Sequence, residues 1–581
     1  MAAIARTHGG MPALAPFACA LLFSVLVAAG AATLVQWLDP ALAAAAASPA
    51  LLFPNALPTL LLAWLLLALT RRPVFSAGLA LLLLYLLYEA NALKWHLLDT
   101  PVLPSDFVLL GHLGDGGGLL LRYVSRSALA ALVAAAAFAA ALAWIERPLA
   151  HLHGWPRVLL LALAFGACAS LFAGVRPWSS VYAAEEDGFM RWSPSESALR
   201  SGLPSTLVRF AWHTRFVLPP PDRVAAARFL EAQAPAPPAG GGEPPDIVVL
   251  QSESFFDPAR LRGLEPEQVL PGYRRVAASA RHGEVWVPAY GGGTIRTEFE
   301  VLTGIGMRYF PSVEYPYFRL TAAPVPSLAS VLAAHGYRTI AIHPHEREFW
   351  NRAYAFRNLG FDEFDDVEAF GDDAARAGWY IGDEALVDHV LARLDAAPAP
   401  AFVFAISMEN HGPYRGYPGA DGEAVRRQPV PPGLDGDAAA ELRGYLYHLA
   451  NADRSLTRLV DALRQRPRRS VLLFYGDHLP ALPDVYDRTG FDDGAIGPHQ
   501  PVPWLLVDSA RAHPAPAEST AAFYLPALLL AEAGIDDPFF AALEAARAGD
   551  HPARGWTPFD DDALRALARM RQLGEPMPVV R

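Results

Sequence analysis

The sequence predicts an α-helical membrane anchor of about five spans, followed by an α/β domain with a mostly parallel sheet flanked by helices. Three observations carry this. Hydrophobic residues make up 53% of the 581-residue chain and charged residues only 18%, and the apolar residues crowd into the part before Arg176. That part contains five long apolar runs, each near the length of about 20 residues that a helix needs to cross a bilayer. From Asp246 onward, short β-branched or aromatic runs alternate with helical stretches, the pattern of parallel strands joined by crossover helices.

The chain thus divides into a transmembrane anchor over 1–176, a linker with short helices over 177–245 and a globular domain over 246–581. The spans are Ala15–Leu38, Leu51–Thr70, Phe75–Leu93, Leu129–Ile145 and Val158–Phe172. Arg6, the pair Arg71-Arg72, and the group Arg147, His151, His153 and Arg157 fall on one side of a five-span bundle. Basic residues in short loops favour the cytoplasm. The chain is therefore a multi-pass protein of the cytoplasmic (inner) membrane, with everything after Arg176 outside. A second reading of the first span is a cleaved signal peptide, with Ala41–Ala47 supplying small residues at the cleavage site. In the outer loop Lys94–Arg126, Pro104-Ser105-Asp106 is suited to start a helix whose Phe107, Leu109, Leu110 and Leu113 form an apolar face; a plain loop is the alternative.

A formal net charge of -12 argues against a general affinity for nucleic acid. The two cysteines, Cys19 and Cys168, both lie in apolar stretches, which excludes a disulfide framework or cysteine chemistry in the globular half. Pro219–Pro221 and Ala234–Pro245 read as linkers, with a short helix from about Asp222 to Glu231 between them.

In the globular half, five strand-like runs lead into polar clusters. Ile247–Leu250 leads into Gln251-Ser252-Glu253, Glu284–Val287 into Gly291-Gly292-Gly293-Thr294, and Thr339–Ile342 into His343-Pro344-His345. Phe402–Ile406 leads into Glu409-Asn410-His411, and Val471–Tyr475 into Gly476-Asp477-His478. Ligands of open α/β sheets bind at the carboxyl ends of the strands, so the five clusters are expected at one edge.

Each cluster has a chemistry. Asp477 and His478, with Glu253, suit a divalent ion such as Mn2+ or Zn2+, although each alone also reads as a solvated or capping residue. The glycines before Thr294 let backbone approach a ligand closely. Thr297, Glu298, Val301 and Leu302 continue at helical spacing, so Thr294 sits at a helix start where an anion is favoured. Thr294 is then either a plain N-cap or, beside an ion shared with Glu253, Asp477 and His478, a nucleophile. Arg352 suits phosphate, His343 suits protonation of a leaving oxygen, and Trp350 suits the wall of a small polyol site; a His-rich loop and a core Trp are the plain alternative. His411 is a further polar candidate.

With Gln251-Ser252-Glu253-Ser254, Gly293-Thr294, Phe349-Trp350-Asn351-Arg352, Asn410-His411 and Tyr475-Gly476-Asp477-His478 in this order, the chain resembles the lipoteichoic acid synthase-like phosphoglycerol transferases. These form part of the sulfatase-like branch of the alkaline phosphatase superfamily, and the resemblance covers roughly residues 245–535. It implies an α/β sulfatase-like domain and transfer of a phosphoglycerol group from phosphatidylglycerol, through a threonine intermediate, to an acceptor. The acceptor is a glycan, a polyol phosphate or a glycolipid. It also implies one divalent metal ion, Mn2+ before Mg2+ or Zn2+, held by Glu253, Thr294, Asp477 and His478. Thr294, His343 and His411 are the implied catalytic residues, and Trp350, Arg352, His345 and Arg296 the implied substrate-binding ones. Two positions depart from the family: His345 stands where an acidic residue is common, and Ile295-Arg296 where a small polar and then an acidic residue are common. Arg296 adds positive charge, suited to a more anionic substrate.

Other readings are a phosphoethanolamine transferase, a sulfatase or phosphodiesterase, or a degenerate envelope sensor or assembly factor. Thr294-Ile295-Arg296 lacks the Cys/Ser-x-Pro-x-Arg pattern of true sulfatases, and the globular half lacks the cysteines usual in lipid A-modifying enzymes.

Overall fold

The computed structural model describes residues 14–39, 49–98, 100–109, 126–182, 194–213, 220–232, 243–547 except 312, 372–373, 398–399 and 416–420, and 562–576. They form two compact units, one of residues up to Phe216 and one mainly of Val217–Arg581.

In the first unit the apolar runs are helices, at Leu14–Leu38, Pro49–Thr70, Pro73–Leu98, Arg126–Ile145 and Trp155–Ala173. Four are long and apolar enough to cross a membrane, and the Arg126–Ile145 helix carries the shorter apolar stretch Leu129–Ile145. Pro58 lies inside the second helix and has no N–H to give the carbonyl of Pro54. The Tyr182 hydroxyl donates to that carbonyl instead, at 2.7 Å. Such replacement is what apolar surroundings demand of a broken helix.

Two short helices fall within the stretch expected as a linker with short helices, at Pro194–Ser201 and Leu203–His213, and both belong to this unit. Asp39 accepts the Leu203 N–H at 2.9 Å, and Asn55 accepts from Ser205 and donates to the Ser201 carbonyl. The expected helix near Asp222 runs over Arg223–Ala232, with Asp222 accepting from the N–H groups of Val224 and Ala225. In the stretch expected as the loop Lys94–Arg126, the third apolar helix runs on to Leu98 and Asp106–Leu109 forms one further turn, with Asp106 paired to Lys94 at 2.7 Å. Leu110 and Leu113 lie outside the described residues.

The second unit is built on an eight-stranded sheet. In chain order its strands are β1 (Asp246–Ser252), β2 (Arg281–Trp286), β3 (Arg338–Ile342), β4 (Glu363–Asp365), β7 (Ala401–Ile406), β8 (Ser470–Gly476), β9 (Val502–Asp508) and β10 (Glu518–Ala521). β5 (Arg376–Ala377) and β6 (Tyr380–Ile381) form a separate ribbon. The order across the sheet is β10-β2-β9-β8-β1-β7-β3-β4. All neighbours are parallel except those of β9, which runs against both β8 and β2. β1, β7, β8 and β9 are buried at every position, as strands covered on both faces must be. Helices such as Asp383–Ala396, Gly436–Gln465 and Leu525–Ala533 pack against it. With β2 restored to the common direction by two reversals, β1, β2, β3, β7 and β8 all end at one edge.

Candidate active site

β1 and β8 are hydrogen-bonded neighbours, with Ser252 opposite Gly476, so Glu253 and Asp477 leave the sheet side by side. Gly476 is required there: a Cβ would lie 2.0 Å from the Phe255 carbonyl oxygen. The Ser254 N–H donates to Asp477 Oδ1 at 2.7 Å, and the Thr297 hydroxyl donates to the Asp477 carbonyl at 2.7 Å. The Glu253 N–H donates to the Ser407 hydroxyl beyond β7, at 2.9 Å. Three adjacent strand ends are thereby tied together.

Glu253, Asp477 and His478 are buried, and each offers a ligand atom within 4.8 Å of the others. The ring Nδ1 of His478 meets the Leu479 carbonyl at 2.8 Å. A carbonyl only accepts, so Nδ1 carries the proton and Nε2 turns its lone pair to the carboxylates. Nε2 lies 3.5 Å from Glu253 and 3.4 Å from Asp477. Asp477 Oδ2 is buried without a hydrogen-bond partner. Two carboxylates and an imidazole around an orphaned buried oxygen fit a divalent cation.

The electrostatics agree. Burial first, and then the charge of Glu253, push the Asp477 carboxyl up to about 7. Burial alone would lower His478, but the charges of Asp477 and Glu253 outweigh it and raise the imidazole above its ordinary value. The cluster thus holds excess negative charge.

Thr294 enters from the Gly-rich loop. Gly293, at φ 78°, takes the left-handed N-cap conformation, and Thr294 opens the helix Thr294–Thr303. The capping alternative therefore fails: Gly293 is the cap, no side chain caps this helix, and the Thr294 hydroxyl turns into the cluster. It lies 3.5 Å from Glu253 Oε2 and 3.4 Å from His478 Nε2.

His343, after β3, is buried, with Nδ1 at 3.4 Å from the Ile406 carbonyl and Nε2 without a partner. Burial, then the charges of Arg352 and His345, hold its imidazole well below the ordinary value. The imidazole is therefore neutral near pH 7. His411 is half-buried, with Nδ1 at 2.8 Å from the Gly412 carbonyl and 3.4 Å from the Tyr380 hydroxyl.

Arg352 is paired, fully buried, with Glu298. Arg296 donates from Nε to the Pro288 carbonyl at 2.8 Å and from Nη1 to the carbonyls of Val313 and Glu314 at 2.9 and 3.1 Å, with the Glu314 carboxylate 3.6 Å away. It ties loops together.

Trp350 and Asn351 both adopt left-handed backbone, at φ 60° and 62°. Two such residues in succession without glycine are strained and mark a site held by its surroundings. Trp350 lies 5.2 Å from both Tyr315 and Phe349, ring centre to ring centre. His345 lies 4.9 Å from Phe349 and 6.0 Å from His343, so these rings form one wall.

Sequence reasoning missed several partners. Ser407 positions Glu253, and Ser254 donates to Glu253 Oε1 at 2.8 Å. Behind them Glu409 accepts from the Asp383 N–H at 2.8 Å and meets His448 Nδ1 at 3.1 Å. Burial and then Glu409 raise the Asp383 carboxyl well above its ordinary value. Glu298 was legible as the residue four after Thr294, one helical turn further on the same face.

Residues 245–535 match the model of the Sulfatase family. A Rhizobium meliloti protein, named as a candidate for cyclic beta-1,2-glucan modification, is 35% identical over 254 residues, which is 43% of this chain and 38% of that protein. The capsular polysaccharide biosynthesis protein RkpI of the same organism is 34% identical over 252 residues, 43% of this chain and 44% of RkpI. The chain thus matches less than half the length of these curated relatives. Among solved structures, the Streptococcus pyogenes phosphoglycerol transferase GacH, in complex with sn-glycerol-1-phosphate, superposes with a TM-score of 0.46 at 19% identity, over 60% of this chain and 89% of that one. With half of its length under the family model, on a mostly parallel sheet that gathers two carboxylates, an imidazole and a threonine at one edge, the chain belongs to the sulfatase family and is an enzyme of the sulfatase and phosphotransferase kind.

Proposed function

We propose that the chain transfers a phosphoglycerol-type group from a membrane phospholipid, phosphatidylglycerol, onto Thr294 and then to an extracytoplasmic acceptor. The observation that carries this is the Thr294 hydroxyl, buried at a helix start, free of any capping bond and facing Glu253 and His478. In this reading residues 1–176 anchor the enzyme in the cytoplasmic membrane and residues 246–581 form the catalytic domain outside.

Glu253, Thr294, Asp477 and His478 would hold one divalent ion, Mn2+, Mg2+ or Zn2+. Bound there, it would supply Lewis-acid stabilisation of charge on the phosphate oxygens and lower the pKa of the hydroxyl. Thr294 Oγ attacks the phosphorus, and Glu253 Oε2 is an acceptor within reach of its proton. The bond from phosphorus to the diacylglycerol oxygen breaks, and His411 supplies the proton to that oxygen. Neutral His343 and the remaining N–H of Arg352 bind the phosphate as hydrogen-bonding groups. Trp350, with Tyr315, Phe349 and His345 behind it, walls the glycerol. A glycan acceptor agrees with relatives named for glucan modification and capsular polysaccharide biosynthesis.

The test is mass spectrometry of the intact, metal-loaded protein after incubation with phosphatidylglycerol. Wild type should gain one glycerol phosphate on Thr294, Thr294→Ser should retain some of the adduct, and Thr294→Ala should lose both adduct and diacylglycerol release. Diacylglycerol release by Thr294→Ala at the wild-type rate would sink the covalent mechanism.

A further inference from the structure

We propose that the buried Glu298–Arg352 pair makes this site select a phosphate with one negative charge, a phosphodiester, over a phosphomonoester dianion, with Glu298 as the specificity-determining residue. The proposal rests on the phosphotransfer reading above and deepens it.

The two side chains are 1% and 0% exposed, with Nη2 at 3.0 Å from Oε2. Arg352 Nε lies 3.2 Å from both carboxylate oxygens, and the Tyr317 hydroxyl donates to Oε1 at 2.7 Å. The guanidinium charge is therefore cancelled before any ligand arrives. A buried pair of this kind is poor evidence of stability, since desolvation offsets the attraction. Its function is suggested by what it leaves over: Arg352 Nη1 is buried with no partner. His343 Nε2 is buried with no partner as well, and its imidazole feels the charge of Arg352. Two orphaned buried atoms, on groups close enough for the charge of one to act on the other, call for a ligand oxygen. Arg352 offers that oxygen a directed N–H without net positive charge.

Neither nearby arginine makes up the difference. Arg296 is spent on backbone carbonyls, and Arg347 is paired with Asp366 at 2.6 Å. Glu253, Asp477 and Glu298 set against Arg352 leave two negative charges, the number that one divalent cation cancels. A diester brings one charge into this balance. A monoester brings nearly two near neutral pH, and a second buried charge without a partner is costly.

The experiment is calorimetry on the full chain in detergent, loaded with a divalent ion, with two soluble probes: glycerophosphoglycerol, a diester, and glycerol 3-phosphate, a monoester. At about pH 8 the diester should bind at least about tenfold more tightly. As the pH falls to about 5.5 the monoester takes its second proton, at a pKa of about 6, and its affinity should rise relative to the diester, which controls for titration of the site. In Glu298→Gln the gap at about pH 8 should close or reverse. Equal affinities or a monoester preference in wild type, a pH-independent ratio, or an unchanged gap in Glu298→Gln would each overturn the proposal. If Glu298→Gln does not fold, the wild-type pH series decides alone. The phosphotransfer reading fails by a different result, the absence of an adduct on Thr294.

Discussion

Removing the divalent ion should make the folded domain lose stability as pH rises from about 5 to about 8, opposite to the usual behaviour of a carboxylate stabilised by partners. The cause is Asp477, which burial and Glu253 push from 3.8 up to about 7. A group with a raised folded pKa holds its proton more tightly in the native state. Its contribution is complete below the unfolded value near 4 and is lost as pH passes through about 7. His478 is raised as well, so its contribution has the same sign. The shift of Asp477 is roughly three units, of which about two fall between pH 5 and pH 7, so at about 1.4 kcal/mol per unit the loss over that range is on the order of 3 kcal/mol. At about 2–4 °C per kcal/mol, Tm of the chelated protein should fall by on the order of 10 °C across that range. A saturating divalent ion should abolish most of the fall, because it binds the native state with Asp477 ionised. The assay is calorimetric melting at a series of pH values in chelator and in Mn2+, Mg2+ or Zn2+. The net charge of -12 could by itself give a slope of this sign, so Asp477→Asn is the control: it should melt with a much smaller slope and respond weakly to metal. A chelated wild type whose Tm is flat or rising over this range, or an Asp477→Asn slope equal to wild type, would refute the reasoning.

Three further outcomes follow from the geometry. A reporter fused after Arg176 should be active outside the membrane and one near Arg72 inside; the reverse would place the catalytic unit in the cytoplasm. Arg296→Ala should destabilise the fold by about 1–3 kcal/mol for carbonyls left without donors, read as a lower Tm, while KM for the phospholipid stays within about twofold; a large KM change with unchanged Tm would return Arg296 to the substrate. Trp350→Ala should raise KM for a glycerol-bearing donor and leave metal binding by calorimetry unchanged, whereas loss of metal binding would show that the wall supports the cluster.

The sheet was legible where strands are buried on both faces, because such strands must be apolar without interruption. All five runs are strands, β1, β3, β7 and β8 buried along nearly their whole length and β2 only in part, and their parallel order brings their polar ends together. Three strands escaped for identifiable reasons. β9 carries Pro503 in its interior, opposite Glu284, where a residue lacking an N–H argues against a strand. β4 has three residues and β10 four, and both lie at edges of the sheet where apolar character is not enforced. Short helices were expected in the linker, but Pro194–Ser201 and Leu203–His213 were not placed individually because their composition is mixed. Their place in the first unit depends on Asp39 and Asn55, polar residues far away in sequence.

The site was legible for a similar reason and to a similar limit. Glu253, Asp477 and His478 sit directly after strands, so their convergence follows from topology alone. What a sequence shows of a charged residue is its charge, and what decides its use is whether a partner has already taken it. Arg296 and Arg352 looked alike in this respect, yet one is spent on carbonyls and the other on a carboxylate. The helix Thr294–Thr303 links the metal cluster to the buried ion pair. Its first residue faces the cluster through Thr294, and one turn later Glu298 holds Arg352. The proposed nucleophile and the carboxylate proposed to set the charge of the phosphate site are therefore carried on one helical turn. A substitution that rotates this helix should change rate and substrate charge preference together, whereas Thr294→Ser should change rate alone.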